Sequence, residues 1–162
     1  MKVKEIMSTN AKVCTLTDNL SSAAGLMWKN DCGIIPVVAE GGKVVGLITD
    51  RDICMAATLK NRNLSNIAVE DVISGRVFAC KPEDDVRSAL KTMQENKVRR
   101  LPVVDADGTL EGILSMNDVV LKAEEAREKK ASELSYGDVV NTYKSICQRR
   151  FPVQQAQAAA GV

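Results

Sequence analysis

The sequence contains no histidine, and this absence removes several kinds of chemistry at once. A histidine general base, a Ser-His-Asp triad and a zinc site are all excluded by the residue inventory. No other constellation of catalytic side chains is visible. We therefore expect that the protein is not an enzyme and that it requires neither a metal nor a catalytic cofactor.

Paired cysteines and long apolar runs are also missing. The cysteines are odd in number, scattered and never spaced as CxxC, which indicates reduced core thiols. They are Cys14, Cys32, Cys54, Cys80 and Cys147. The longest apolar stretches, such as 34–39, are only a few residues long, and no segment resembles a membrane span or a secretory signal.

Neither sign of charge dominates, and aromatic residues are scarce. Lysine and arginine number 22 against 21 aspartate and glutamate residues, and aromatic residues make up 3% of the chain. This composition provides neither the basic surface nor the stacking platforms of a nucleic-acid binder. We expect a cytoplasmic protein with no nucleic-acid or membrane partner.

The sequence does contain an internal repeat with a period of 66 residues. The stretch "IIPVV" matches "RLPVV", and "GLITDRDI" matches "GILSMNDV". The register is constant from the Cys14/Cys80 pair to the Asp52/Asp118 pair. The repeat predicts two copies of one supersecondary unit, over 1–62 and 63–122. A unit of this size has a small core, so we expect the two units to pack together.

Each copy has the pattern strand, helix, strand, strand, helix. The first strand is predicted at 13–16 or 77–81, the first helix at 19–30 or 85–96, and a hairpin turns at "EGGK" or "DADG". The predicted fold class is α/β (α+β). Two β-α-β-β-α units pack sheet to sheet with pseudo-twofold symmetry, and a C-terminal helix follows them.

The repeated motif at the end of each hairpin has two interpretations. Thr49 with Asp52, and Ser115 with Asp118, match a helix cap in which a hydroxyl and an acid satisfy free backbone amides. The same junction also suits a ligand, because free amides attract phosphate and a carboxylate accepts hydrogen bonds from ribose hydroxyls. One copy alone favours capping. The two uses are compatible, since one hydroxyl can serve both.

The two motifs, each at the same interval behind a Pro-Val-Val strand, resemble a pair of CBS (cystathionine-beta-synthase) domains over roughly residues 2–122. The resemblance implies a regulatory module that binds an adenine nucleotide (AMP, ADP or ATP) in clefts between its units. S-adenosylmethionine and NAD are alternative ligands. It also implies a homodimer.

The resemblance further implies composite sites. Asp52 and Asp118 would accept the ribose hydroxyls, while Thr49 and Ser115 would approach phosphate. The remaining cleft walls come from the opposite unit. Val77 and Val98 would line the Asp52 cleft, whereas Val13 and Cys32 would line the Asp118 cleft.

Arg99 and Arg100 precede the second proline, where the first unit has Gly33 and Ile34. The family resemblance suggests that these arginines face phosphate, because paired guanidinium groups suit an oxyanion. The alternative is that they are solvated surface charges.

Residues 123–150 are expected to form a helical extension. The charged stretch "KAEEAREKK" at 122–130 predicts a continuation of the last helix into solvent. Further on, apolar residues at helical spacing predict one apolar face. They are Val139, Val140, Tyr143, Ile146 and Cys147. This face would pack on its own module or dock a second copy or an effector, and 151–162 is expected to be disordered.

Two functions therefore remain open. The first is a sensor of an adenine nucleotide that signals to an unidentified effector protein outside this chain. The second is a structural or interaction module that keeps the fold, binds no nucleotide, and uses both motifs only as helix caps.

Overall fold

The first unit contains three strands and two helices. The computed structural model describes residues 1–73, 75–124 and 134–148. The elements of the first unit are β1 (Cys14–Thr15), α1 (Leu20–Lys29), β2 (Ile34–Val38), β3 (Val44–Thr49) and α2 (Asp50–Lys60). Helix α1 begins where the Asn19 side chain accepts a hydrogen bond from the Ser22 amide. The strand predicted at 13–16 is shorter in the structure, where β1 has only two residues.

The second unit repeats this order with one difference. Its elements are α3 (Val86–Asn96), β4 (Arg100–Val104), β5 (Leu110–Ser115) and α4 (Met116–Lys122). The strand predicted at 77–81 is reduced to a single bridge, in which Cys80 pairs in parallel with Val103. The prediction of a full strand there was wrong, although Cys80 occupies the same place beside β4 that Cys14 occupies beside β2.

The two hairpins are nearly identical, and their turns meet. Strands β2 and β3 pair antiparallel with an irregularity at Val37/Val38, and β4 and β5 do so at Val103/Val104. An antiparallel bridge joins Lys43 to Thr109, which are equivalent positions of the two repeats. A bridge between equivalent residues lies on the axis that relates the two units. The structure is a mixed α+β pair, as predicted.

The two hydrophobic cores exchange their leading segments. Val3 and Ile6, at the start of the first repeat, are buried in the core of the second unit. Ile67 and Val69, at the start of the second repeat, are buried in the core of the first unit. The Val3 amide donates to the Asp84 carbonyl, and the equivalent Val69 amide donates to the Asp18 carbonyl. The predicted division at residue 62 therefore follows the sequence repeat, whereas the packing crosses it.

A final helix, α5 (Tyr136–Cys147), packs on α3. Val139, Tyr143 and Ile146 contact the core of the second unit, which is the first of the two alternatives left open by the sequence, whereas Val140 and Cys147 are exposed. The expected continuation of the preceding helix was wrong, since α4 ends at Lys122 and residue 123 has extended backbone. The rest of "KAEEAREKK" and the tail 151–162 lie outside the described residues.

Within the described ranges, no helix is both long and apolar enough to cross a membrane.

Candidate functional site

The first repeated motif forms a complete capping box at the start of α2. The Thr49 hydroxyl accepts a hydrogen bond from the Asp52 amide at 3.1 Å and donates to Asp52 Oδ2 at 2.7 Å. The Thr49 amide also donates to Asp52 Oδ2, at 3.0 Å. Among the described residues, no group donates a hydrogen bond to the second carboxylate oxygen, Asp52 Oδ1.

The second motif has the same cap and one additional contact. Asp118 Oδ2 accepts hydrogen bonds from the Ser115 amide at 2.7 Å and from the Ser115 hydroxyl at 2.6 Å. Asp118 Oδ1 accepts a hydrogen bond from the Ser8 hydroxyl at 3.2 Å. Ser8 is held there because its backbone forms an antiparallel bridge with Ile113 on β5.

A cavity of about 790 Å³ opens beside Asp52 and is built from both units. The first unit contributes Ile34, Leu47, Thr49 and Asp52. The second unit contributes the end of α3, the start of β4 and the segment before Cys80. These residues are Arg76, Phe78, Glu95, Asn96, Lys97, Val98, Arg99 and Arg100. The volume is within the range of small-molecule sites.

Positive charge dominates the lining of this cavity. Arg76, Lys97, Arg99 and Arg100 are set against the carboxylates of Asp52 and Glu95. Among the described residues, none of the three arginines forms a salt bridge. The Arg76 guanidinium lies 5.0 Å from the centre of the Phe78 ring, an arrangement typical of a cation–π contact. The cavity therefore presents unneutralised guanidinium groups to a ligand.

The structure brings most of the residues predicted for the Asp52 cleft into this one cavity. Thr49, Asp52, Val98, Arg99 and Arg100 all line it. Val77 is partly buried and is not among its lining residues, whereas its neighbours Arg76 and Phe78 are.

The residues predicted for the Asp118 cleft are less clearly grouped. Ser115 and Asp118 contact each other and Ser8, as described above. Val13 is exposed, and Cys32 lines a groove between α1 and α2. Their contribution to the Asp118 cleft stays a prediction.

The sequence analysis missed several residues at these sites, among them Ser8, Arg76, Phe78 and Lys97. Ser8 could have been found by extending the repeat towards the N-terminus, because "VKEIMS" at 3–8 aligns with "VEDVIS" at 69–74 in the same register. Arg76 and Phe78 carry no such signal, since they lie on an irregular segment whose side chains follow no period.

These features define a module of two repeated units with a composite cleft between them. The chain belongs to the CBS domain family, because the CBS domain model matches residues 3–58 and 69–125. The CBS domain-containing protein YhcV of Bacillus subtilis is 33% identical over 119 residues, which cover 74% of this chain and 83% of that protein.

Two further relatives differ in how much of their length this chain covers. YlbB of Bacillus subtilis is 32% identical over 136 residues, covering 83% of this chain and 89% of that protein. A homoserine O-acetyltransferase of Methanohalophilus mahii is 33% identical over 117 residues, which cover 72% of this chain but only 22% of that enzyme. The similarity to the acetyltransferase is therefore limited to its CBS part.

Solved structures of CBS domain pairs superpose on this chain. The pair of protein MJ0100, in complex with 5'-methylthioadenosine and S-adenosyl-L-methionine, has a TM-score of 0.68 and 25% identity over 75% of this chain and 94% of that one. CBSX2 in complex with AMP has a TM-score of 0.64 and 25% identity over 74% of this chain and 93% of that one.

Proposed function

We propose that this protein is a regulatory module that binds an adenine nucleotide in the Asp52 cleft and signals its occupancy to a separate protein. The observation that carries the proposal is the composition of the cavity, which combines an acceptor oxygen at Asp52 with three arginines that form no salt bridge with the part of the chain that the structure describes. The ligands of MJ0100 and CBSX2, all of which contain adenosine, support the choice of an adenosine compound.

Each group in the cavity has a distinct task in this proposal. Asp52 Oδ1 accepts hydrogen bonds from the ribose hydroxyls, while Oδ2 continues to hold the cap of α2. Arg99 and Arg100 bind the phosphates through charged hydrogen bonds. Ile34, Leu47 and Val98 offer apolar surface to the base. Since the cap is already formed, the carboxylate of Asp52 is oriented before the ligand arrives.

The second cleft differs because Ser8 already donates to Asp118 Oδ1. A ribose hydroxyl that binds this oxygen has to displace or share the Ser8 hydroxyl. We therefore propose that the Asp52 cleft binds the nucleotide more tightly than the Asp118 cleft does.

Isothermal titration with AMP, ATP, adenosine, S-adenosylmethionine and NAD tests the proposal. Replacing both Arg99 and Arg100 with alanine is expected to weaken AMP and ATP by about tenfold to a hundredfold for every charged hydrogen bond lost, because one such bond is worth roughly 1.5–3 kcal/mol. Adenosine has no phosphate, so its affinity should not change. Asp52→Ala is expected to weaken AMP and adenosine together, since both carry the ribose hydroxyls.

The controls for this experiment come from the same motifs. Asp118→Ala is the matched variant that alters the other cleft, and the thermal melting of each variant reports whether the fold is intact. Unchanged ATP and AMP affinity in the double arginine variant would show that the arginines are surface charges. If AMP, ATP, S-adenosylmethionine and NAD all fail to bind at millimolar concentration, the sensor function is wrong.

The second candidate is a structural module in which both motifs act only as helix caps. The complete capping boxes of Thr49 and Ser115 favour it, because each hydroxyl already has a structural use. The titration above separates the two candidates. If the caps are the only function, no adenosine compound binds, and Asp52→Ala lowers only the melting temperature.

We also propose that the protein forms a homodimer through α2 and α4. Leu59 is 74% exposed on α2, and Leu121 is 83% exposed on α4, so both helices present apolar surface to solvent. Light scattering at micromolar concentration should give twice the mass of one 17.5 kDa chain. Leu121→Ser should shift the mass towards that of the monomer, and a parent protein that is monomeric throughout would contradict the dimer.

A further inference from the structure

Helix α5 meets the wall of the Asp52 cavity at its C-terminal end. Polar contacts join α3 and the residue after it to α5 in the same order along both helices. The pairs are Arg87 with Asp138, Gln94 with Thr142, and Lys97 with Gln148. The two helices therefore run in the same direction, and the last turn of α5 lies beside the end of α3. Residues 95–98, at that end of α3, line the cavity.

Lys97 belongs both to the cavity and to the contact with α5. It lines the cavity, and its Nζ donates to the Gln148 carbonyl at 3.1 Å, just after the last turn of α5. The contact is favourable because the C-terminal end of a helix carries partial negative charge, although the acceptor is a neutral carbonyl. The Lys97 amide donates to the Met93 carbonyl and closes α3, so the backbone of Lys97 is fixed. Only its side chain is free to change partner.

The first unit shows that the backbone at this position does not require a lysine. Asp31 is the equivalent residue, and both residues are left-handed, with φ angles of 48° for Asp31 and 54° for Lys97. Between α2 and α3, the described residues form no α-helix that could take the place of α5. The positive charge is thus found in the unit that carries the additional helix, and the other unit has a negative charge instead.

A phosphate group in the cavity competes with the Gln148 carbonyl for the Lys97 ammonium. Phosphate carries full negative charge, and a hydrogen bond between charged groups is roughly twice as strong as one between neutral groups. The lysine side chain is a flexible stem with three rotatable donors, so it can turn to a ligand without any movement of the backbone. The last turn of α5 then loses its polar contact with the residue that ends α3.

We infer that Lys97 couples the Asp52 cavity to the C-terminal end of α5. A ligand that carries phosphate withdraws the ammonium from Gln148, and the last turn of α5 loosens. The first turn stays in place, because the Ser135 cap and the pair of Arg87 with Asp138 hold it. The coupling rests on the proposed nucleotide site and names the element that responds when the site is occupied.

Hydrogen exchange of the full chain with and without ATP tests the coupling, and isothermal titration of the same samples reports whether ATP is bound. Saturating ATP is expected to accelerate exchange over 143–147 by about two- to fivefold, which corresponds to the loss of one exposed contact at a helix end. Exchange over 136–141 should not change. Adenosine has no phosphate and should leave both parts of α5 unchanged.

Two substitutions of Lys97 show whether its charge carries the coupling. Lys97→Asn removes the ammonium, and asparagine tolerates the left-handed backbone, so the variant is expected to fold. At an ATP concentration that saturates this variant, exchange over 143–147 should no longer respond to ATP. Lys97→Arg keeps the positive charge and should retain the response.

The reverse experiment starts from α5. Coupling between two equilibria is reciprocal, so a weaker last turn should leave Lys97 more available to phosphate. Ile146 packs on the core of the second unit and is not among the residues that line the cavity. Ile146→Ala is expected to tighten ATP by up to about fivefold without changing the affinity for adenosine. The gain should vanish when Lys97→Asn is also present, and Val140→Ala, at an exposed position of α5, should give no gain.

Three results would overturn the coupling while leaving the nucleotide site in place. The first is ATP that binds in the titration but leaves exchange over 143–147 unchanged or slower. The second is adenosine that accelerates this exchange as much as ATP does. The third is an acceleration that persists in Lys97→Asn. A titration in which ATP does not bind is a different result, because it removes the proposed nucleotide site and the coupling together.

Discussion

Cys14 and Cys80 occupy equivalent buried positions at the start of the two units. Burial, the larger effect, and the nearby carboxylate of Asp18 together raise the pKa of the Cys14 thiol to about 11. Burial likewise raises the pKa of the Cys80 thiol to about 12, with a smaller contribution from Asp84. Since the thiolate is the reactive form, both thiols are expected to be inert in the native protein.

The cysteines differ in burial, and this difference predicts the order in which their thiols react. Cys54 and Cys147 are exposed and should be alkylated first by iodoacetamide at pH 8, whereas Cys14 and Cys80 should react only after unfolding. Mass spectrometry of peptides at successive times gives the order. The double variant Cys54→Ser, Cys147→Ser serves as the control and should lose the fast phase. Early labelling of Cys80 would show that the core of the second unit is open.

Asp52 and Asp118 show why a sequence motif alone does not decide between a cap and a binding site. In both cases one carboxylate oxygen belongs to the cap, and the function depends on the partner of the other oxygen. That partner is Ser8 for Asp118, which lies 110 residues away in the sequence. Such a distant contact is invisible to any analysis of local spacing.

At the scale of elements, α5 completes the second unit. Thr142 is fully buried, and it accepts a hydrogen bond from the Gln94 side chain at 2.8 Å while donating to the Asp138 carbonyl at 2.7 Å. The buried polar group is therefore satisfied, which allows the helix to pack tightly on α3.

Two substitutions in α5 test this packing. Ile146→Ala removes apolar contact with the core of the second unit and should lower the free energy of unfolding by about 1–3 kcal/mol, given that the side chain is only partly buried. Val140→Ala changes a side chain that is 55% exposed and should have an effect of less than about 0.5 kcal/mol. Urea denaturation measures both. Equal effects would mean that α5 is not held on α3 in solution.

The hairpins and the first helices could be predicted because their pattern is local. Pro36 and Pro102 lie in strands as expected, and α1 buries Leu20, Ala23 and Met27 in the core. The strand expected at 77–81 reduced to one bridge, because strand propensity does not determine how many residues meet a partner. The helix expected beyond Lys122 ended there, since charge alone does not supply packing.

On the scale of the whole molecule, the exchange of leading segments could not be predicted from the sequence. Val3 and Val69 have the same local context, so either segment satisfies either unit by its own chemistry. Only the geometry of the assembled pair determines which unit each segment joins. The cavity beside Asp52 depends on the same assembly, because its cationic wall belongs to the second unit.

Val3 and Val69 also provide a matched pair of substitutions. Both are fully buried, but Val3 lies in the core of the second unit and Val69 in the core of the first. Val3→Ala is expected to reduce amide protection over α3 and β4, and Val69→Ala over α1 and β2. Each should cost about 1–3 kcal/mol. Hydrogen exchange followed by mass spectrometry locates the loss of protection. If each substitution instead lowers protection in the unit of its own repeat, the leading segments are not exchanged between the cores.

The exchanged segments also set the order in which the protein becomes foldable during synthesis. When residue 62 leaves the ribosome, the first unit still lacks Ile67 and Val69, so its core stays incomplete until the chain has entered the second repeat. The second unit has no such delay, because Val3 and Ile6 are made before the rest of its core. A nascent chain that stalls between the repeats therefore has the sequence of one unit but not the residues to close it.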